Sequence, residues 1–314
     1  MTVDFEQIVA RHRRELYAHC YRMLGSVQDA EDAVQEALLA AWRGLDGFQG
    51  RSSLRTWLYR ITTHVCLRLA EQRRPRVLTP DLVPPRHDTA DLGVPIPGPV
   101  FLEPLVEEPA DERYLRRADV ELAFIAALQY LPANQRAVLL LRDVLEFSAA
   151  EVAELLDTTP AAINSALQRA RKSVDDRVAG PSQQEEIAAL GDDGLRELVG
   201  SYVRAWERAD VPALVGLLAE DARFTMPPLP AWFDGRADIA RFLTDRLFAS
   251  AWRLVPATAN GQPAFACYQR TAADGPFRLA AVNVLTVRDG LIAGITGFID
   301  PALHRFLEFL PDHR

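Results

Sequence analysis

Prolines divide this chain into parts that must fold separately. Nine of them fall between Pro75 and Pro109. Neither a regular helix nor a central strand tolerates that density, because each proline lacks an N–H donor and fixes its backbone. We therefore predict a Pro-rich linker over residues 76–112. The segments on either side of it, 1–75 and 113–180, have the apolar periodicity of helices.

The composition is that of a folded protein with more than one domain. The chain has 314 residues, of which 49% are hydrophobic, and single domains usually hold about 100–200 residues. No signal peptide opens it, and no apolar run approaches the roughly 20 residues of a membrane span. We expect a soluble, cytoplasmic protein without a membrane partner. The three cysteines have no metal-ligand spacing, so we expect neither a metal nor a cofactor.

The stretch "TTPAAINSALQRARKSV", Thr158 to Val174, has the pattern of the second helix of a helix-turn-helix. Ser148 and Glu151 form a capping box that starts a first helix, and Thr159 followed by Pro160 starts the second after a short turn. One face of the second helix is apolar: Ile163, Ala166, Leu167, Ala170 and Val174. The opposite face carries small, amide and cationic side chains, which suit contacts to base edges and phosphates.

The run "LPANQRAVLLLRDV", followed by these two helices and "NSALQRAR", resembles region 4 of the sigma-70 family of initiation factors. The resemblance implies a domain that binds the minus-35 element of promoter DNA. The residues expected to contact that element are Ala161, Asn164, Ser165, Gln168, Arg169, Arg171 and Lys172. The chain as a whole has a formal net charge of -8, and this helix carries only a few cations. Because so few cations release few counterions, we expect region 4 by itself to bind DNA weakly and with a shallow salt dependence.

The first segment, "DAEDAVQEALLAAWRGLDGFQGRSSLRTWLYRITTHVCLRLAEQRR", resembles region 2 of the extracytoplasmic-function group of that family. A capping pair, Ser26 and Asp29, predicts the start of a helix, and its inward stripe is Ala33, Val34, Ala37, Leu38, Ala41 and Trp42. Its outward edge is expected to carry Asp29, Asp32, Gln35 and Glu36. Acids in a first turn are favoured by the helix dipole whatever the function. In the family, however, this helix binds core RNA polymerase, and we expect that partner here.

The next helix, about residues 53–73, is expected to bury Leu54, Leu58, Ile61, Val65 and Leu69. Aromatic and cationic side chains on its other face can hold unstacked bases, which the opening of a minus-10 element requires. By resemblance, the preceding loop "FQGRSS" helps to hold a base turned out of the duplex. The expected minus-10 residues are Phe48, Ser52, Arg55, Tyr59, Arg60, Thr63 and His64. Family members often have Asn where His64 stands and Asp where Arg68 stands.

The linker is acidic as well as rich in proline. It holds Asp81, Asp88, Asp91, Glu103, Glu107, Glu108, Asp111 and Glu112 against only Arg76 and Arg86. Two interpretations stay open for it. A flexible acidic strand can occupy a basic nucleic-acid channel, or the segment can be a solvated tether.

The last segment, 190–314, contains "SYVRAWERADVPALVGLLAEDARFTMPPLPAWFDGRADIARFL", then "ANGQPAFACYQR" and "AAVNVLTVRDGLIAGITGFIDPALHRFLEFLP". These stretches resemble SnoaL-like domains, in which helices cover a curved sheet around a cavity. Two dipeptides, Asn260-Gly261 and Asp289-Gly290, predict hairpin turns within it. The residues of a candidate ligand pocket are Trp206, Met226, Trp232 and Tyr268. Aromatic side chains at such positions also form plain core.

The expected fold is multidomain, with two all-α sigma domains, a region 2 helical bundle and a region 4 helix-turn-helix, plus a C-terminal α+β cone-shaped SnoaL-like domain. The expected function is a sigma factor that directs core RNA polymerase to specific promoters. The SnoaL-like domain is expected to regulate it by intramolecular contact with the sigma regions, alone or with an unknown small ligand. No catalytic residues are expected: Asp221 and Asp234 lie near strand or turn ends, and no nucleophile and base pair can be picked out.

Two alternatives belong to other classes. The chain could be a ligand-sensing, one-component DNA-binding regulator that acts without polymerase, which a failure to bind core polymerase would favour. It could also be a SnoaL-like enzyme fused to a transcription module. Turnover of a small ketide or hydrophobic acid, lost on changing Asp221 or Asp234, would favour that alternative.

Overall fold

A computed structural model describes residues 5–106, 121–178 and 180–302. The chain forms two compact units, and each is built from two separated stretches of sequence. The first unit contains the described residues 5–76 and 121–178. The second contains 77–106 and 180–302.

The first unit begins with three helices that pack against one another. They are α1 (Phe5–Leu24), α2 (Val27–Gly44) and α3 (Leu54–Gln72), with a short 3-10 turn, Leu45–Gly47, after α2. Serine caps start the second and third of them, because Ser26 Oγ accepts from Asp29 N at 3.1 Å and Ser53 Oγ accepts from Thr56 N at 3.0 Å. Their shared core is Leu16, Tyr21, Met23, Val34, Leu58 and Cys66.

The described residues of the first unit form four further helices. They are α4 (Leu122–Gln129), α5 (Ala133–Leu139), α6 (Ala149–Leu155) and α7 (Pro160–Asp175), and a π-helical turn, Leu140–Val144, extends α5. Their apolar faces bury Ile125, Leu128, Val138, Leu140, Val152, Ile163 and Leu167. In the described residues, no helix is long and apolar enough to cross a membrane.

The second unit is a six-stranded sheet with helices. Its strands are β1 (Leu218–Thr225), β2 (Trp232–Asp234), β3 (Ala251–Ala259), β4 (Gln262–Arg270), β5 (Arg278–Arg288) and β6 (Leu291–Phe298). Its helices are α8 (Gln183–Glu207), kinked at Gly191, α9 (Val211–Gly216) and α10 (Arg236–Asp245). The strand order is β2-β1-β6-β5-β4-β3; β1 and β6 are parallel and the other neighbours antiparallel.

The helices cover the sheet through a single apolar cluster, which includes Tyr202, Trp206, Phe224, Phe242, Phe265 and Leu285. Both predicted hairpin turns are present. Asn260 and Gly261 have φ values of 55° and 67°, and Asp289 and Gly290 have values of 53° and 75°, the left-handed pair that a two-residue turn requires. The predicted fold class, two helical sigma domains followed by an α+β domain, is confirmed.

The predicted linker is not a free tether. Its residues 77–106, which we call the strap, belong to the second unit. Trp232 Nε1 donates to Val83 O at 2.8 Å, Arg86 N donates to Trp232 O at 2.8 Å, and Leu105 N donates to Asn260 Oδ1 at 2.8 Å. Prolines forbid regular helix, yet an extended chain still has N–H and C=O groups that can bond to another surface. The remainder of the linker that was predicted up to residue 112 lies outside the described residues.

Candidate nucleic-acid interface

The helix-turn-helix is formed by α6 and α7, and its capping groups are those predicted. Ser148 Oγ accepts from Glu151 N at 3.2 Å, while Glu151 Oε2 accepts from Ser148 N at 2.7 Å. Thr159 Oγ1 accepts from Ala162 N at 3.2 Å and starts α7. Between the helices, Asp157 has a φ of 51°, a left-handed conformation that Asp and Asn adopt more readily than most residues.

The seven predicted minus-35 side chains are all exposed along α7: Ala161, Asn164, Ser165, Gln168, Arg169, Arg171 and Lys172. One of the cations is already paired. Arg171 Nε and Nη2 lie 2.8 and 2.7 Å from the two carboxylate oxygens of Asp143. A bidentate pair of this kind orients the guanidinium, so Arg171 is less available to a phosphate than Arg169 or Lys172.

Two residues of the predicted minus-10 set do not face outward. Tyr59 and Thr63 on α3 are fully buried. Tyr59 OH donates to Glu15 Oε2 at 3.2 Å, and Thr63 Oγ1 lies 3.0 Å from His19 Nε2. Periodicity placed both side chains on one face of α3, but it could not show that α1 covers that face. The predicted outward position of both residues was wrong.

The rest of the set stays accessible to different degrees. Arg60 and His64 retain 42% and 47% of their side-chain exposure. Arg55 Nε pairs with Glu15 Oε2 at 2.9 Å. Phe48 packs on Trp57 with 5.0 Å between ring centroids, and with Ser52 it lines a groove beside the start of α3.

Beneath this surface lies a histidine that the sequence analysis missed. His19 is fully buried. Burial, together with the positive charges of Arg22 and Arg55, lowers its pKa to about 3. Its imidazole is therefore neutral at pH 7. Burial also raises the pKa of Tyr59, which stays a protonated hydrogen-bond donor.

The predicted polymerase-binding edge of α2 divides into two parts. Asp32, Gln35 and Glu36 are exposed, as expected. Asp29 is buried and forms ion pairs with Arg73 and Arg76. It is therefore a structural anion at the start of α2, and its predicted outward position was wrong.

Helix α2 also exposes large apolar side chains that the sequence analysis did not place on this side. Leu39 is 46% exposed and Trp42 is 60% exposed. Trp42 was predicted to point inward, which is a second error on this helix. With Asp32, Gln35 and Glu36, these residues follow a spacing of three to four and share one side of α2. We call this set the α2 stripe.

The four candidate pocket residues of the second unit do not share one environment. Trp206 and Met226 belong to the core cluster, where the Trp206 ring lies 5.7 Å from Phe248 and 6.3 Å from Trp252. Trp232 is bonded to the strap, and Tyr268 is buried on β4. Within the described residues, the indole N–H of Trp206 is buried and has no hydrogen-bond partner.

The carboxylates considered for catalysis lie at the surface of the second unit. Asp221 pairs with Arg288, and Asp234 Oδ1 lies 3.6 Å from Arg223 Nε. Both are substantially exposed, at 67% and 42% of their side chains. Neither is therefore an acid or base inside the sheet and helix cluster.

Comparison with known proteins agrees with this arrangement. The sigma-70 region 2 family matches residues 8–76, the sigma-70 region 4 family matches 121–174, and a SnoaL-like domain family matches 199–295. The ECF RNA polymerase sigma factor SigG of Mycobacterium tuberculosis is 42% identical over 319 residues, which cover 98% of this chain and 84% of SigG. The chain belongs to the extracytoplasmic-function (ECF) RNA polymerase sigma factors.

Another member has the same overall organisation. The ECF sigma factor SigJ of Mycobacterium tuberculosis is 28% identical over 303 residues, covering 92% of this chain and 89% of SigJ. The crystal structure of SigJ superimposes with a TM-score of 0.64 at 24% identity, over 95% of this chain and 97% of SigJ. The two proteins share their fold.

The buried histidine leads to a prediction about acid stability. An unfolded histidine has a pKa near 6.5, whereas His19 titrates at about 3, so the folded state excludes a proton that the unfolded state takes up. Stability should therefore fall as the pH drops below about 6.5, by at most about 1.4 kcal/mol per pH unit from this group. Hydrogen exchange of the α3 amides at pH 7.5 and 5.0 measures the loss. In His19→Gln the loss should be smaller, and an equal loss in both proteins contradicts the assignment.

Proposed function

We propose that this chain directs core RNA polymerase to specific promoters in the cytoplasm, as a sigma factor whose C-terminal domain regulates it. The observation that carries the proposal is that the first unit exposes two surfaces suited to binding, one on α2 and one on α7. The α2 stripe offers an acidic and apolar docking surface, and α7 offers a row of exposed amide and cationic side chains. Family membership supports reading them as polymerase-binding and DNA-binding surfaces.

The α2 stripe has the composition of a protein interface. Exposed aromatic side chains beside charged groups are enriched in energetically dominant contacts, and Trp42 is the largest exposed side chain recorded among the described residues. We assign Asp32, Gln35 and Glu36 to charge complementarity with core polymerase, and Leu39 and Trp42 to the apolar centre of the contact.

Promoter recognition is assigned to two elements. Asn164, Ser165 and Gln168 can approach base edges of the minus-35 element, with Arg169 and Lys172 on phosphates. The groove of Phe48 and Ser52, with Arg55, Arg60 and His64 beside it, is assigned to the minus-10 element.

The SnoaL-like domain is proposed to regulate through the strap and not through catalysis. The strap lies between the two sigma regions along the chain, and it is bonded to the rest of the second unit at Val83 and Arg86, at Ile96 and at Leu105. A docked strap would limit how far regions 2 and 4 can separate. The surface ion pairs of Asp221 and Asp234 support a non-enzymatic role.

A substitution in the α2 stripe tests polymerase binding. Trp42→Ala should weaken binding to core polymerase by about thirtyfold or more, because loss of a central aromatic side chain typically costs about 2 kcal/mol or more. Val94→Ala is the control, since Val94 is 79% exposed on the strap and has no assigned partner. Binding titration with labelled chain measures both variants. Equal affinities of Trp42→Ala and Val94→Ala for core polymerase would show that α2 is not part of the polymerase interface.

Two substitutions on α7 separate base reading from phosphate binding. Asn164→Ala should relax preference at one base position, a change of about 1–3 kcal/mol, whereas Lys172→Ala should weaken all sequences alike and lower the salt slope by about one. Both are measured as holoenzyme binding to a promoter library at several salt concentrations. If neither variant changes affinity or sequence preference, α7 does not contact the promoter.

A glycine of the strap tests regulation. A Cβ on Gly93, which has a φ of 75°, would lie 2.6 Å from Pro230 Cγ, so Gly93→Ala should undock the strap. Gly98→Ala is the matched control, because Gly98 has a φ of 85° and open space around it. We expect faster proteolysis of the strap and a higher yield of run-off transcript from Gly93→Ala only, since release lets regions 2 and 4 adjust their spacing. Undocking without any change in transcript yield would contradict a regulatory strap.

A further inference from the structure

A narrow cleft lined with arginines lies where α3 ends. Its walls come from both helical parts of the first unit. Region 2 and region 4 together supply Leu24, Asp29, Ala70, Arg73, Arg74, Pro75, Arg76, Gln129 and Arg136. None of these residues belongs to the minus-35 set, the minus-10 set or the α2 stripe. The cleft is therefore separate from the surfaces assigned above.

The arginines gather at this cleft because of the way α3 ends. Pro75 cannot continue a helix, and it restricts the residue before it. Arg73 already has extended backbone, with φ at -120° and ψ at 154°. In a continuous helix, the side chains of Arg73 and Arg74 would point about 100° apart. On the irregular segment after α3, both of them line the same cleft with Arg76.

Positive charge exceeds negative charge among the described residues that line the cleft. Four guanidinium groups meet one carboxylate, Asp29, which forms ion pairs with both Arg73 and Arg76. Helix ends offset only part of the excess. Helices α1, α3 and α4 end at the cleft and α2 begins there, and each end contributes about half a charge. A net charge of about +2 therefore remains.

Two arginines of the cleft have no acid of their own. Arg74 is exposed, and in the part of the chain that the structure describes it has no hydrogen bond or ion pair. Arg136 is buried. Among the described residues it bonds to neutral oxygens only, and its Nε has no partner. A buried cation without a counter-ion is costly, and an anion in the cleft would offset that cost.

The size and the donors of the cleft suit a small tetrahedral anion. Its free volume is about 30 Å³, which is room for roughly two or three atoms of the size of a water molecule. Guanidinium groups bind phosphate oxygens through paired N–H donors. A terminal phosphate offers three free oxygens on one side, whereas a phosphodiester of a nucleic-acid backbone carries substituents on two of its oxygens. The cleft therefore suits a terminal phosphate, with the rest of its molecule outside.

We propose that this cleft binds the terminal phosphate group of a small molecule, held by Arg74 and Arg136 with Arg73 beside them. Because the cleft draws its residues from both regions, the bound phosphate adds a contact between the end of region 2 and helices α4 and α5 of region 4. Neither polymerase nor promoter DNA takes part in this site, so a failure of the proposed function leaves it unaffected.

Equilibrium dialysis of the full chain against radiolabelled inorganic phosphate measures the site, at an ionic strength held constant with sodium chloride. We expect saturable binding of about one phosphate per chain, with a Kd of about 1 mM or below. Arg74→Gln removes an exposed cation of the cleft. The matched control is Arg11→Gln, because Arg11 is an exposed arginine of α1 outside the cleft.

The Kd should rise about five- to tenfold in Arg74→Gln, as expected for loss of one charge-assisted hydrogen bond at an exposed side chain. In Arg11→Gln it should stay that of the unsubstituted chain. Absence of saturable binding, or equal Kd values for the two variants, would overturn the proposal.

The buried arginine is tested by Arg136→Lys, which keeps the charge and removes both the Nε donor and the planar fork. Circular dichroism checks that this variant folds, and Arg74→Gln alone decides if it does not. A folded Arg136→Lys should bind phosphate more weakly than the unsubstituted chain. Equal binding would show that Arg136 is not part of the site and would overturn the proposal.

Two esters distinguish the sources of the phosphate. Methyl phosphate should displace the radiolabel as well as inorganic phosphate does, because it keeps three free oxygens. Dimethyl phosphate, which has the substitution of a nucleic-acid backbone, should require a concentration about tenfold higher or more. Equal displacement by the two esters would assign the cleft to backbone phosphates and would overturn a small-molecule ligand.

Discussion

A buried guanidinium holds the first unit together. Arg136 is only 5% exposed. It donates to Met23 O, to Gln129 Oε1 at 2.8 Å, to Gln129 O at 3.1 Å and to Leu131 O at 3.2 Å. The recorded partners in the described residues are neutral oxygens, some at the C-terminal ends of α1 and α4, where the helix dipole is negative. Burial lowers its pKa to about 10, so the group stays charged at pH 7. This side chain bonds to both regions 2 and 4 and is therefore one of the contacts that join them into one unit.

Hydrogen bonds also involve two segments that have a proposed function. In the first unit, Asp157 Oδ1 and Leu155 O lie within hydrogen-bond distance of Arg60 and His64, two of the residues proposed to contact the minus-10 element. In the second unit, the strap accepts a hydrogen bond from Trp232 and donates one to Asn260. With three exposed cations among the predicted minus-35 residues, the chain is expected to take much of its affinity for DNA from polymerase.

Local sequence signals were enough for much of this architecture, and packing decided the rest. The cap at Ser148, the start of α7 at Thr159 and the two hairpin turns depend on neighbouring residues, so the sequence predicted them. Tyr59, Thr63 and Asp29 were placed outward because periodicity cannot tell which helix will cover a face. Trp42 was placed inward because apolar character alone does not show that a side chain stays exposed. The docking of the strap was not predicted, because prolines indicate only that a segment cannot form a regular helix. They do not indicate which surface the extended chain contacts.

Promoter selection by this chain can be measured by mapping transcript start sites on fragmented genomic DNA. Core RNA polymerase would be supplied with this chain, and the 5′ ends of its transcripts compared with those made by core alone. We expect new start sites that share two sequence elements at a constant spacing, one for each sigma region. A set of 5′ ends identical to that of core polymerase alone would contradict it.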